Sequence, residues 1–456
     1  MIAVEVRRRV LITESPTQTL GQYGRGSAKP TRYACLGYGG VSCDFIGCPR
    51  VRRYRAIFQP VRSRPDSASR RRIPTTGDDE DISLSRWQPP PMSQSEEHRS
   101  IKQFRERQAS GNVPVAPQVV DSAWLRSICL EAGADDVGFV DVDRPEVADQ
   151  KADIDLLLPG ARTLISLVGR MNRENVRPPT RSVANLEFHH STHDVNDIAR
   201  KIVAVLAEKQ IRAVNGGAAG FRMEADRWIG KMWVISHKPV AVAAGLGHMG
   251  IHRNVIHPKF GTFITLGTVV IDVGITASSQ PLDYNPCLEC KLCVAACPTG
   301  AIGSDGHFNF SACYTHNYRE FMGGFIDWVE AIAESGSAKE YRKKISAAES
   351  VSMWQSLSYG ANYKAAYCMA VCPAGEDVIA PYLTDRKKFL DQIVTPLQQK
   401  PETVYVVPKS DAEDYVARRF PHKRAKPVGM ASHGNFRFAD FCGACPLSLN
   451  AENRRA

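Results

Sequence analysis

Four cysteines within eleven residues constrain this chain more than anything else in it. Cys287, Cys290, Cys293 and Cys297, with Pro298 directly after the last, form a C-x2-C-x2-C-x3-C-P run. That is the spacing with which a short bacterial loop ligates an iron–sulfur cubane. Thiolates two residues apart wrap one cube corner by corner. The fourth sits on the turn that follows and faces a second cube, while the proline stops the chain from following it. A matching half must then lie downstream, and Cys368 with Cys372 and Pro373 supplies a C-x3-C-P ending. Zinc is the competing reading, since four close thiolates also close a tetrahedral site. Zinc ribbons favour two separated C-x2-C pairs and need no proline after the last cysteine, so the spacing favours iron–sulfur ligation.

The 456 residues leave room for two or three domains. Six of the 13 cysteines fall in these proline-terminated runs, which points to metal ligation in a reducing, cytoplasmic setting rather than to a disulfide scaffold. The net charge of +10 is concentrated at one end: residues 1–91 hold 16 Lys and Arg against 8 Asp and Glu. The remainder is nearly balanced, so overall basicity does not advertise a polyanionic partner. Residues 1–118 are rich in Arg, Ser, Pro and Gly and lack apolar periodicity, so they read as a disordered leader, with Met92 as an alternative start. The triplet Arg7, Arg8 and Arg9 has no apolar stretch after it and does not read as an export signal. Cys35, Cys43 and Cys48 lack ligand spacing. No run is long enough to cross a membrane; residues 260–271 are the longest apolar stretch, and Asp272 ends it.

From Asp121 the text becomes that of a folded α/β layer domain, residues 119–278. Trp124, Leu125, Ile128 and Cys129 fall at helical spacing to about Ala132. Residues 137–142 and 163–168 read as strands. An amphipathic helix is expected from about Asp194, with Val195, Ile198, Ile202 and Leu206 on one side. His189, His190 and His193 precede it and read as capping or packing residues. A strand at 211–214 and a turn at Gly216 and Gly217 follow. Gly245, Gly247 and Gly250 spell G-x-G-x-x-G, but a helix after Pro239 precedes them rather than a strand, so the dinucleotide fingerprint is not met. The glycines imply backbone that comes close to something flat or bulky. His257, Pro258, Lys259, Phe260 and Gly261 then lead into a long apolar strand, residues 262–273, and on to the cysteines.

The glycine loop, the 257–261 turn, the apolar strand and the cysteine run, in that order, resemble epoxyqueuosine reductases and reductive dehalogenases, a family of corrinoid-dependent iron–sulfur reductases. The resemblance covers about residues 120–380. It implies a nitroreductase-like α/β domain that binds cobalamin, with Gly245, Gly247, Gly250, His257 and Gly261 at the cofactor, followed by a ferredoxin-like domain at 279–385 that feeds it electrons. It also implies a proton donor upstream of the glycine loop. Epoxyqueuosine reductases carry a carboxylate there; in this chain the position falls at Lys231, with Asp226 nearby but out of register. A lysine beside a low-dielectric metal site has a lowered pKa and can donate, which suits a dehalogenase better. Tyr318 is the rival donor.

Following the ferredoxin logic, Cys287, Cys290, Cys293 and Cys372 hold one [4Fe-4S] cluster, and Cys297, Cys313 and Cys368 belong to the other. The family's distal half has a further cysteine where this chain has Ala365. Three outcomes stay open for that second cluster: a [3Fe-4S] cluster, a four-iron cluster with a non-cysteine corner, or rescue by Cys442 or Cys445. Residues 325–332 and 338–345 read as helices of an insert. Residues 386–456 form a small α+β appendage, with a strand at 403–407 and a capping box from Ser410 to Glu413. The favoured reading is a reductive dehalogenase-like enzyme that takes electrons from a reductase or flavoprotein and acts on a small organic substrate. An epoxyqueuosine reductase-like enzyme acting on tRNA and a non-catalytic dicluster electron carrier are its rivals.

Overall fold

Strands that are apolar along their whole length, rather than alternating, belong in the middle of a sheet covered on both faces. Two segments of this kind, β2 (Thr163–Arg170) and β4 (Ile264–Ile271), lie side by side at the centre of a four-stranded sheet. The computed structural model describes residues 98–111, 115–217, 235–321 and 323–428, and a short strand pair at 224–225 and 436–437. The sheet's edges are β1 (Asp136–Asp141) and β3 (Ala213–Asn215), in the order β1-β2-β4-β3. Every pairing is antiparallel, with Asp136 opposite Val168, Thr163 opposite Ile271 and Ala213 opposite Ile271.

The two faces of the strands meet different helices. Phe139, Ile165, Leu167 and Val269 pack against Leu125 and Cys129 of α1 (Ser122–Ala132) and against Val195, Ile198 and Ile202 of α2 (Arg181–Glu208). Val140, Leu164, Val168 and Val270 pack against Ile154 and against Val240 and Ala243 of α3 (His237–Ala243). Burial of each such side chain contributes about 1.5–3 kcal/mol, which fixes a three-layer α/β/α domain. The Asp121 carboxylate caps α1 by accepting from Trp124 N at 2.8 Å, and Gly133 ends the helix in the left-handed region at φ 114°.

Two expectations need correction here. Helix α2 begins at Arg181, thirteen residues before Asp194, so the three histidines are helical. Its first half lacks the apolar stripe because Ala184, Asn185, Phe188 and Ser191 pack against the cysteine segment and the sheet end rather than against the sheet face. A helix at Arg99–Ala109 also falls in the stretch expected to be disordered. It buries none of its residues.

The chain then leaves the sheet for the cysteine segment: α4 (Leu292–Ala296), α5 (Phe310–Asn317), insert helices α6 (Gly323–Ala333), α7 (Ala338–Lys344) and α8 (Ala347–Tyr359), and α9 (Tyr367–Ala370). The third insert helix was not expected; a full capping box between Ser346 and Glu349 starts it. The tail pairs β5 (Thr403–Val406) in parallel with β6 (Arg424–Pro427) across α10 (Asp411–Arg419), a β-α-β unit. Val404, Val406 and Val416 share one core with Cys293 and Cys297, so the appendage covers the cysteines. The box expected at Ser410 does not form. Glu413 accepts from Lys409 N, while the Ser410 hydroxyl donates to Val407 O instead of capping the helix.

Candidate iron–sulfur centre

Two lengths of backbone repeat one conformation around the cysteines. Lys291 (φ 61°) and Ala366 (φ 52°) both adopt the left-handed region unusual for residues with a side chain. Each opens a short helix, α4 or α9, with a cysteine two residues on, Cys293 or Cys368, and another six residues on, Cys297 or Cys372, each followed by proline. The two helices pack against one another.

Cys287, Cys290 and Cys293 from the first half and Cys372 from the second line one small, partly open cavity with Ile251, His252 and Lys291. Cys297, Cys313 and Cys368 lie within electrostatic reach of one another in a second group. Cys293 and Cys372 also feel Cys368, so the two groups adjoin. All these cysteines are free thiols. Burial and then thiol neighbours push Cys293 well up, while burial takes Cys372 to about 12 and Cys368 to about 11. Burial therefore favours the neutral thiols in the protein alone; a cluster of iron cations would supply the positive charge that lets buried sulfurs ionise together. Among the described residues, no three His, Cys, Asp or Glu side chains converge as the ligands of a single ion would. Thiolates on separate irons of a cubane stand further apart, so this donor set fits a cluster better than zinc.

The glycine loop presses directly on both groups. His248 pairs with Ile256 and Met249 with Val255 in a short hairpin. Its tip puts Ile251 and His252 on the first cavity, and Asn254 Nδ2 lies 3.7 Å from Cys368 Sγ in the second. The glycines serve this packing. A Cβ at Gly245 would stand 2.2 Å from Gln280 O, at Gly247 2.6 Å from Ile256 O, and at Gly250 2.8 Å from the His252 ring. Backbone does come close to something, and on the side a Cβ would occupy that neighbour is the chain itself. His257 is likewise engaged internally: Nε2 faces Asp136 Oδ2 at 3.1 Å, and Nδ1 accepts from Lys259 N and Phe260 N. Gly261 (φ 63°) permits a contact in which a Cβ would meet Ala374 O at 2.1 Å. Glu376 N donates to Pro258 O and Asp377 N to Lys259 O. The 257–261 turn thus joins the layer domain to the segment after Cys372 that lines the cavity.

Lys231, Asp226, Cys442 and Cys445, like Cys35, Cys43 and Cys48, lie outside the described residues. Tyr318 lies beside Cys313 and Cys368, its ring near Tyr314, Phe321 and Tyr363. Burial holds its phenol well above the ordinary value, so the group stays protonated. His189 Nε2 contacts Ala361 O at 2.9 Å and ties α2 to the insert.

Sequence reasoning missed three buried groups. His252 is 3% exposed; its Nδ1 accepts from Asn254 N, and its Nε2 has no partner. Burial pushes its pKa down to about 4, which leaves a neutral ring with a proton for Nε2. Arg177 and Arg181 are buried with Nε and Nη2 unpartnered. Arg177 feels Cys372, and Arg181 lies over the Tyr367 ring and feels Cys368. The only sequence signal was two arginines four residues apart around two prolines.

Comparison with known proteins follows the same lines. The model of the 4Fe-4S binding domain family (Fer4) matches residues 281–303. An epoxyqueuosine reductase of Lactococcus garvieae is 25% identical over 261 residues, 57% of this chain and 64% of the relative. That of Cellulophaga algicola is 26% identical over 190 residues, 40% of this chain and 58% of the relative. That of Staphylococcus aureus reaches 38% over 165 residues, 35% of this chain and 40% of the relative. The chain thus spans about three-fifths or less of these relatives. A solved epoxyqueuosine reductase from Streptococcus thermophilus superposes with a TM-score of 0.33 at 17% identity, over 61% of this chain and 78% of that one. The likeness to epoxyqueuosine reductases in sequence is borne out. No helix among the described residues is long and apolar enough to cross a membrane.

Proposed function

We propose, from the premise that this chain is a relative of the epoxyqueuosine reductases, that it is an iron–sulfur reductase acting on an epoxide in a modified nucleoside of tRNA. The observation that carries this is the pair of adjoining thiol groups beneath the hairpin of an α/β layer domain. Electrons enter at the first group, whose loop carries exposed Leu288 and Tyr284, and move to the second where Cys293 lies within electrostatic reach of Cys368. A flavoprotein or other reductase supplies them. The nucleoside substrate replaces the halogenated small molecule as the better-supported one, because the relatives found by sequence are epoxyqueuosine reductases. The dehalogenase reading rested on Lys231, whose role as donor stays a proposal, and on the nearly balanced charge beyond residue 91, which does not exclude a local patch for tRNA.

A corrinoid would supply the metal centre for such a reduction, and the family relationship is what supports it. The glycines are taken up by hairpin packing and lend it no support. That same observation favours one second reading, an electron carrier without a corrinoid. Both are tested on anaerobically reconstituted full-length chain given cobalamin, a chemical reductant and tRNA that carries epoxyqueuosine. Queuosine in the digested tRNA, with cobalt retained by the protein, is the expected result. Iron and sulfide without cobalt and without product would leave the carrier reading standing.

A further inference from the structure

The repeated backbone makes position 365 the equivalent of position 290. Cys290 lies one residue before left-handed Lys291, and Ala365 lies one residue before left-handed Ala366. In the first half the Leu292 N–H turns to the Cys290 sulfur. In the second half there is no sulfur, and a carboxamide serves the backbone instead. Asn317 Oδ1 accepts from Ala365 N at 3.0 Å and from Ala366 N at 2.8 Å. Both residues are closed off from solvent, Ala365 at 5% exposure and Asn317 at 8%.

We infer that the second thiol group, Cys297, Cys313 and Cys368, holds a three-iron cluster, its fourth corner sealed by Ala365 and Asn317. The inference rests on the reading of these thiols as cluster ligands. An iron at the fourth corner needs a ligand of its own. Ala365 has none, and the Asn317 oxygen has both lone pairs committed to backbone N–H groups. A water ligand would have to occupy the apolar core in which Ala365 is packed. The first group has no such deficit, since all four of its corners are cysteine. The sequence left three outcomes open for this cluster, and the dry corner selects one of them.

Metal and sulfide counts on the anaerobically reconstituted full chain, with EPR of the oxidised protein, test this without an activity assay. The expected wild-type result is about seven irons against about eight sulfides per chain, with the signal of an oxidised three-iron cluster. An Ala365→Cys variant should accept one further ferrous ion, [3Fe-4S]⁰ + Fe²⁺ → [4Fe-4S]²⁺, bringing iron level with sulfide and abolishing the signal. Wild-type protein with iron equal to sulfide and no oxidised-state signal overturns the inference alone. Absence of sulfide overturns the cluster reading itself, and the inference with it. The wild-type measurement decides even where the variant does not fold.

Discussion

The two thiol groups share one backbone pattern and are braced by joints of different kinds. The first is braced by the layer domain through backbone contacts: the 257–261 turn lies on Ala374 and Gly375 with no side chain between. The second is braced by the tail through charged side chains. Tyr367, next to Cys368, donates to Glu402 at 2.6 Å, and Glu402 also receives Lys423 at 2.6 Å and Lys400 at 2.8 Å. A joint made of backbone tolerates no added atom. A joint made of ionised groups tolerates atoms but responds to pH. Equivalent cysteines should therefore fail in different ways.

The largest effect is expected from the ligands. Cys293→Ala should remove the first cluster, about half of the bound iron, while an EPR signal from the second persists. Cys313→Ala should remove the second and leave the first. If either variant emptied both sites, the two groups would be one cooperative unit and the contrast would fail. Gly261→Ala comes next. It places a methyl 2.1 Å from Ala374 O at φ 63°, and backbone on both sides leaves little room to relax. A loss of about 3 kcal/mol or more in thermal or denaturant unfolding is expected, with iron lost first from the group containing Cys372. A shift below about 1 kcal/mol would show that the joint can slide.

Glu402→Gln probes the other brace. Burial works to raise the Glu402 pKa, but His316, Lys400 and Lys423 outweigh it and hold the carboxyl below its ordinary value. A depressed carboxylate contributes stability that is complete above its unfolded pKa and is lost as pH falls through the folded one. The variant should lose about 2 kcal/mol at neutral pH, because Lys423, with its side chain 1% exposed, keeps no counter-charge there. The difference from wild type should shrink below about pH 4. Unfolding curves that stay equally far apart at pH 3.5 and pH 7 would remove the ion pair from the brace.

How much of this was legible in the sequence follows from what each feature depends on. The cysteine pairing was readable because proline-ended spacing encodes it locally. The strands at β2 and β4 were readable because burial on both faces leaves an unbroken apolar run. The antiparallel order was not, since it depends on which strands meet. Helix α2 was half legible, because its first half faces the cysteine segment and the sheet end and shows no stripe toward the sheet face. The glycines were legible as close backbone approach, but sequence does not tell whether the neighbour is a ligand or Gln280 O. Ala365 was found by counting, but Asn317 was invisible: nothing in a lone asparagine forty-eight residues away says that it closes a corner.

The smallest expected effect separates the groups by their hairpin donors. His252 lines the first cavity with an unpartnered Nε2, while Asn254 Nδ2 reaches Cys368 at 3.7 Å, a long contact to sulfur. A donor to cluster or thiolate sulfur withdraws charge and raises the reduction potential. His252→Leu should therefore lower the midpoint of the first cluster by on the order of tens of millivolts and leave the second unchanged. His252→Gln, which keeps a donor, should restore most of it. Asn254→Leu should act on the second cluster alone and by less, since its contact is longer. Both midpoints come from one EPR-monitored titration, as the two clusters give distinct signals. Equal shifts of both clusters in the His252→Leu variant would mean that the hairpin tunes them through the shared core, and the separation drawn between the two groups would not survive.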